Sequence, residues 1–265
     1  MRLRPGYLSV LSITAALSMV VLSPAARASD IAYEGFRPSF PIYANGGFGF
    51  AGPWIQGGFN AFASGYTPRT RSLCHAKLDA SEGGSVAGPA FSTINGAVRD
   101  LAQSLGGTVY LSFLIQPQGT LSEGVFNGFF GLTLNGSLGN DLFIGKPGGG
   151  ALEQYVIEHR GGFGQIPSGT PTVVGRTTLL VVKAQFLSGN DIFTLYANPT
   201  PGQPEPGSSV VKTDLDLGTV SRIGIYSTGA FAIDEIRIGT TYADVVPTGD
   251  NKPDPEFPGC LEGPR

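Results

Sequence analysis

The residues with chemistry to offer are few and scattered. Glu153 and Glu158 lie close together on a strand-like run, and Asp214 and Asp216 flank a single leucine. Cleaving a glycosidic bond needs two carboxylates, about 5–5.5 Å apart for retention and farther for inversion. On a strand that means acids at i and i+2 or i+4. A spacing of five turns Glu153 and Glu158 to opposite faces, and the Asp214/Asp216 pair sits where a loop becomes a strand, with no third acid beside it. His75 and His159 are the two histidines, with no close-spaced partner for a zinc site, and no Gly-x-Ser-x-Gly occurs. No catalytic residue is assigned, and a non-enzyme is expected. Residues 47–52 match a dinucleotide pattern by letter, but Pro53 and Trp54 follow instead of an amphipathic helix, so this is a loop. Recognition is the remaining chemistry. Trp54, Tyr66 and Tyr155 are the candidate carbohydrate-binding platforms, with Tyr110 and Tyr196 also available and Trp54 foremost.

The ends of the chain bear on where this chemistry would act. Arg2 and Arg4 precede an apolar run over 8–22, and Ala26-Arg27-Ala28 supplies small residues for cleavage. This predicts a signal peptide over 1–28 and an exported protein, secreted or periplasmic. The run is short and diluted by serines for a membrane span, so no span is expected after cleavage. The mature chain keeps 14 of the 17 Lys+Arg against 20 Asp+Glu, near −6 in charge. Nucleic acid is therefore not an expected partner, since binding phosphates relies on clustered cations. In an oxidising compartment Cys74 and Cys260 are expected to pair as a disulfide.

Elements must position these groups, and their pattern is all-β. With 40 glycines, 20 prolines and 14% charged residues, turns dominate. Residues 108–116 alternate, placing Val109, Leu111, Phe113 and Ile115 on one face. Strands are expected at 31–36, 73–78, 84–88, 129–135, 141–145, 153–159, 177–186 and 192–197, the last two forming a hairpin through Ser188-Gly189-Asn190-Asp191. The unbroken apolar centre at 179–182 requires cover on both faces. Ala97, Val98, Leu101 and Leu105 suggest one short helix over 95–105. A final hairpin is expected from 220–227 and 231–239 through Thr228-Gly229. One domain spans 29–247, and 248–265, rich in Pro, Gly and acids, reads as a flexible tail.

YEGF at 33–36, GTVYLSFLIQ at 107–116, LVVKAQF and DIFTLYANP within 180–199, and FAIDEIRIGTTYADVVP at 231–247 resemble, in that order, the concanavalin A-like lectin/glucanase superfamily, laminin-G-like domains of secreted bacterial proteins. The resemblance implies a two-sheet antiparallel jelly-roll sandwich. It also implies a possible structural calcium between an acid of the last strand, Asp234, and the N-terminal strand's Glu34, hard oxygen donors suited to that ion. The superfold carries lectins, hydrolases, lyases and adhesion modules. The expected role is a non-enzymatic carbohydrate-binding or surface interaction module, a glycan or cell-envelope component being the partner. The alternatives are an adhesion protein that binds protein or matrix and, behind it, a hydrolase or lyase. Pro204-Glu205-Pro206 echoes an envelope-sorting signal, but it lies inside the domain, before another strand.

Overall fold

The computed structural model describes residues 30–37, 46–56, 65–79, 84–149 and 153–249. The expected signal peptide, Cys260 and nearly all of the expected tail lie outside them. Among the described residues the strands form two antiparallel sheets. One runs β13 (Val210–Leu215), β12 (Asp191–Ala197), β11 (Thr178–Gln185), β6 (Thr108–Pro117), β15 (Phe231–Gly239), β4 (Ser85–Gly88) and β3 (Thr67–Arg69), with β1 (Asp30–Glu34) beside the second half of β15. The other runs β10 (Phe163–Pro171), β9 (Gln154–His159), β8 (Asp141–Lys146), β7 (Phe130–Gly136), β14 (Val220–Ser227), β5 (Asn95–Leu105) and β2 (Ile55–Gln56). Two helical turns, α1 (Val125–Gly128) and α2 (Tyr242–Val245), complete the all-β jelly-roll sandwich.

The core lies between the sheets. Val109, Leu111, Phe113 and Ile115 of β6 point into it, as their alternation requires, and Leu132, Ile144, Ile157 and Ile225 meet them from the other sheet. Phe130 of β7 stacks on Phe231 of β15, ring centroids 5.5 Å apart. Burial of each such side chain contributes about 1.5–3 kcal/mol. The other face of β6 and β11 is also covered: Tyr110, Leu114, Leu179 and Val181 pack with Tyr242 and Val245 of α2. Glu205 straps the proline-rich loop onto the same face, accepting from Tyr110 Oη at 2.8 Å, Lys183 Nζ at 3.0 Å and Tyr196. The apolar centre of β11 thus has cover on both faces, and Pro204-Glu205-Pro206 serves as a packing strap.

Three expectations are corrected. Residues 95–105 form a strand, not a helix: pairing of β5 with β14 overrides the helical spacing and sends Ala97, Arg99 and Leu101 inward. Residues 73–78 form a turn closed by Leu78 N donating to His75 O, not a strand. β14 and β15 are not a hairpin, because the chain crosses between sheets at Thr228–Ala230; β14 pairs with β5 and β7, and β15 with β6, β4 and β1. At the C-terminal end Thr248 bridges Leu78 and Gly249 N donates to Lys77 O, so the sandwich holds the chain through 249.

Candidate functional site

The three aromatic platforms expected from the sequence are structural. Trp54 is 2% exposed, stacks on Phe36 and donates its indole N–H to Glu34 Oε2 at 3.2 Å. Tyr66, 3% exposed, lies edge-on to Phe91 and Phe231, and its hydroxyl meets Ser227 Oγ at 2.8 Å. Tyr155 is fully buried on the core face of β9. All three pack with the main core, and none lines the cleft described below, because in a sandwich this rich in glycine large rings fill the interior.

Glu34 and Asp234 are on neighbouring strands, as expected, since Glu34 pairs with Ile236. The residues present do not fit a calcium ion. Glu34 Oε1 accepts from Phe36 N at 2.9 Å, while Oε2 accepts from Trp54 and from the Arg99 guanidinium. Arg99 also donates from Nε to Gly52 O at 2.8 Å and from Nη2 to Gly46 O at 2.6 Å. One carboxylate and two carbonyls, a donor set a calcium would use, thus surround a guanidinium. Asp234 accepts from Leu73 N and Glu235 N, each at 2.8 Å, and burial together with the neighbouring Glu235 holds its carboxyl well above the usual range. Among the described residues no group of three or more His, Cys, Asp or Glu is arranged to hold a metal.

A different site stands on the outer face of the seven-stranded sheet. There a cleft of about 550 Å³ is bounded by β8, β9, β10 and β14, by α1 and by the glycine turns at 148–149 and 161–162. Its apolar base is a cluster separate from the main core, in which Phe129 meets Tyr226 at 4.9 Å and Phe143 at 6.1 Å between ring centroids. Strand register explains the assembly. Phe143 lies opposite Glu158, so both emerge on one face, while Tyr226 lies opposite Gly131, which in turn pairs with Gly145. A side chain on either glycine would run into the backbone of the facing strand, so the floor beneath the rings stays bare.

α1 forms one wall. Phe126 and Asn127 both adopt left-handed backbone, at φ 53° and 59°, a conformation costing about 1–2 kcal/mol for a residue with a side chain. Three successive carbonyls are fixed from outside the turn: Val125 O by Thr228 Oγ1 at 2.6 Å, Phe126 O by Gly149 N at 3.0 Å, and Asn127 O by Lys146 Nζ at 2.5 Å. The result is a ring, Phe126, held 63% exposed at the rim. Lys146 is itself buried, and that burial pulls its ammonium down to about 8.

The cleft wall carries Glu158 and Gln165 as its polar side chains, and Glu158 is the acid. It is 3% exposed, its Oε2 has no hydrogen-bond partner among the described residues, and burial pushes its carboxyl up to about 7 against the easing effects of Gln165 and Lys212. Gln165 comes from β10, which the sequence reading missed because FGQIPSGTP carries two prolines; Pro suits an edge strand, and β10 is one. Glu158 is the one carboxylate among the described residues of the cleft wall. Glu153 precedes β9 and is exposed. Asp214 lies on β13, with Oδ1 2.7 Å from Lys212 Nζ and Oδ2 3.6 Å from His159 Nε2.

No family model matches the chain, and no curated protein matches it. Among solved structures it is similar to an endo-1,3-β-glucanase from Streptomyces sioyaensis, at 9% identity over 82% of this chain and 98% of that one, with a TM-score of 0.47. It is also similar to a glycosyl hydrolase family 16 protein from Mycobacterium smegmatis, at 10% identity over 79% and 100%, TM-score 0.43. The lectin UEA-II complexed with galactose gives 10% identity over 80% and 99%, again with a TM-score of 0.43. Likenesses of this size assign no activity, and the cleft has to be read from its own geometry.

Proposed function

We propose that this protein is an exported carbohydrate-binding module that takes its glycan in the cleft on the outer face of the seven-stranded sheet. The observation that carries the reading is the cleft itself: an open volume of about 550 Å³ based on Phe129, Phe143 and Tyr226, with a buried Glu158 oxygen that has no partner among the described residues. The Phe126 ring exposed at the rim can take the apolar face of a pyranose above this aromatic base, and a carboxyl group fixes its orientation by hydrogen bonding to hydroxyls. Binding is favoured over bond cleavage because a glycosidase needs a second carboxylate, and Glu158 stands alone among the described wall residues. The reading that a structural or adhesion surface is the main role has no such cleft to point to.

The test is a broad glycan array probed with the mature chain, 29–265, beside Tyr226→Ala and Phe143→Ala. Binding to one glycan class that both substitutions abolish, in proteins that still melt cooperatively, supports the cleft. Binding untouched by either moves the site elsewhere, and a blank array with folded protein favours the adhesion alternative.

A further inference from the structure

Glu158 makes no ion pair among the described residues, although the charge of Lys212 is felt at its carboxyl. The cations nearest to it are engaged elsewhere: Lys212 Nζ binds Gly164 O at 2.7 Å and Asp214 Oδ1 at 2.7 Å, and Arg160 Nε binds Asp141 Oδ2 at 2.5 Å. No Lys or Arg is among the described residues of the wall, while four aromatic rings are. Aromatic faces are electron-rich and attract cations. Tyr226 illustrates it, with the Arg160 guanidinium 5.5 Å from its ring centroid. A neutral ligand hydroxyl would give Glu158 Oε2 a hydrogen bond but no charge to balance it. A ligand ammonium would give both, in a setting where charge-assisted bonds are at their strongest.

Resting on the glycan-binding reading, we propose that the cleft is specific for sugars bearing a free, protonated amine, the deacetylated amino-sugar class, with the ammonium at the Glu158 carboxyl and the sugar ring against Phe126 and the aromatic base. Acetylation removes the charge and adds bulk at the same atom, so the N-acetylated sugar loses this contact. Gln165, which also lines the cleft, eases the charge on the Glu158 carboxylate.

Calorimetric titration with three probes of equal length tests this: the tetramers of glucosamine, N-acetylglucosamine and glucose. The wild-type chain is expected to bind the glucosamine tetramer about 10-fold or more tightly than either of the others, and Glu158→Gln to erase that preference. Equal affinity for the three, or a preference that survives in Glu158→Gln, overturns the amine assignment and leaves glycan binding standing. No binding to any of the three, with binding elsewhere on a broad array, overturns it as well, whereas a blank array brings down the glycan reading itself. If Glu158→Gln does not fold, the wild-type comparison decides the question.

Discussion

Arg99 and Glu34 form an ion pair with both side chains withdrawn from water, at 0% and 4% exposure. The guanidinium also lies over the Phe50 ring, 3.8 Å from its centroid, and ties the loop carbonyls of Gly46 and Gly52 to β5. Removing one member of a buried pair strands the other charge, which costs about 3–5 kcal/mol. Arg99→Met is therefore expected to lower stability by that amount in urea unfolding. Glu34→Gln combined with Arg99→Met should recover a substantial part, because no buried charge is then left alone.

The Arg99 guanidinium fills the place between Glu34 and the Gly46 and Gly52 carbonyls, so calcium is expected to leave stability unchanged. A ligand that binds only the folded state must raise its melting temperature. Thermal unfolding with chelator and with millimolar calcium is expected to give midpoints within about 1 °C of each other, a small shift on the scale where 1 kcal/mol moves a domain of this size by ~2–4 °C. A clear calcium-dependent rise would show that Arg99 can be displaced.

These acids show how far sequence reaches. The alternating faces of β6 and the β11–β12 hairpin were legible because each rests on local pattern, whereas the pairing of the first and last strands was expected only from the resemblance. What Glu34 would pair with was not legible, since Arg99 lay inside a run whose apolar spacing favours a helix, and only the neighbour β14 makes it a strand. The cleft was hidden for a similar reason. Phe129, Phe143, Glu158 and Tyr226 are spread over nearly a hundred residues, and their meeting depends on strand order. One signal was available: on β8 and β9 the residues opposite in phase to the core set are Phe143 and Glu158, an exposed-face aromatic and acid side by side in register.

Glu158 should make stability depend on pH in a definite direction. Its carboxyl is raised from 4.5 to about 7, burial being the main cause. Between those values the folded chain keeps a proton that the unfolded chain has released, so the stabilising contribution is full below 4.5, declines as pH rises through the window, and is gone above 7. Lys212 and Asp214 from β13, with His159 and Arg160 following Glu158 in the chain, are the charged or titratable groups around it. Glu158→Gln lacks the titration. Its melting temperature is expected to exceed that of the wild type by on the order of 5 °C at pH 8, with no difference near pH 4.

Cys74 is half-buried in the turn after Leu73, while Cys260 lies outside the described residues. The oxidised pair remains the proposal for an exported chain. Intact mass under non-reducing conditions should be lower by two hydrogens than after reduction, and Cys74→Ala should abolish the difference. A closed loop of that length is worth ~4–5 kcal/mol in the chain-entropy model, so the variant should also melt earlier.

Phe126 offers a way to separate binding from stability. Its ring is mostly in solvent, so truncation removes little packing, yet its backbone sits at φ 53°. Glycine adopts that conformation without strain, although it also widens the unfolded ensemble by about 0.4–1 kcal/mol. Phe126→Gly is accordingly expected to change unfolding free energy by less than ~1 kcal/mol, while the loss of a rim ring weakens glycan affinity roughly 5- to 30-fold, within the range of one aromatic contact. Lys146→Met acts on the same turn from beneath, freeing the Asn127 carbonyl it holds, and should lower affinity while leaving Phe126 in place. If both variants bind as the wild type does, the turn is a structural feature of the sandwich and the ligand rests on Phe129, Phe143 and Tyr226 alone.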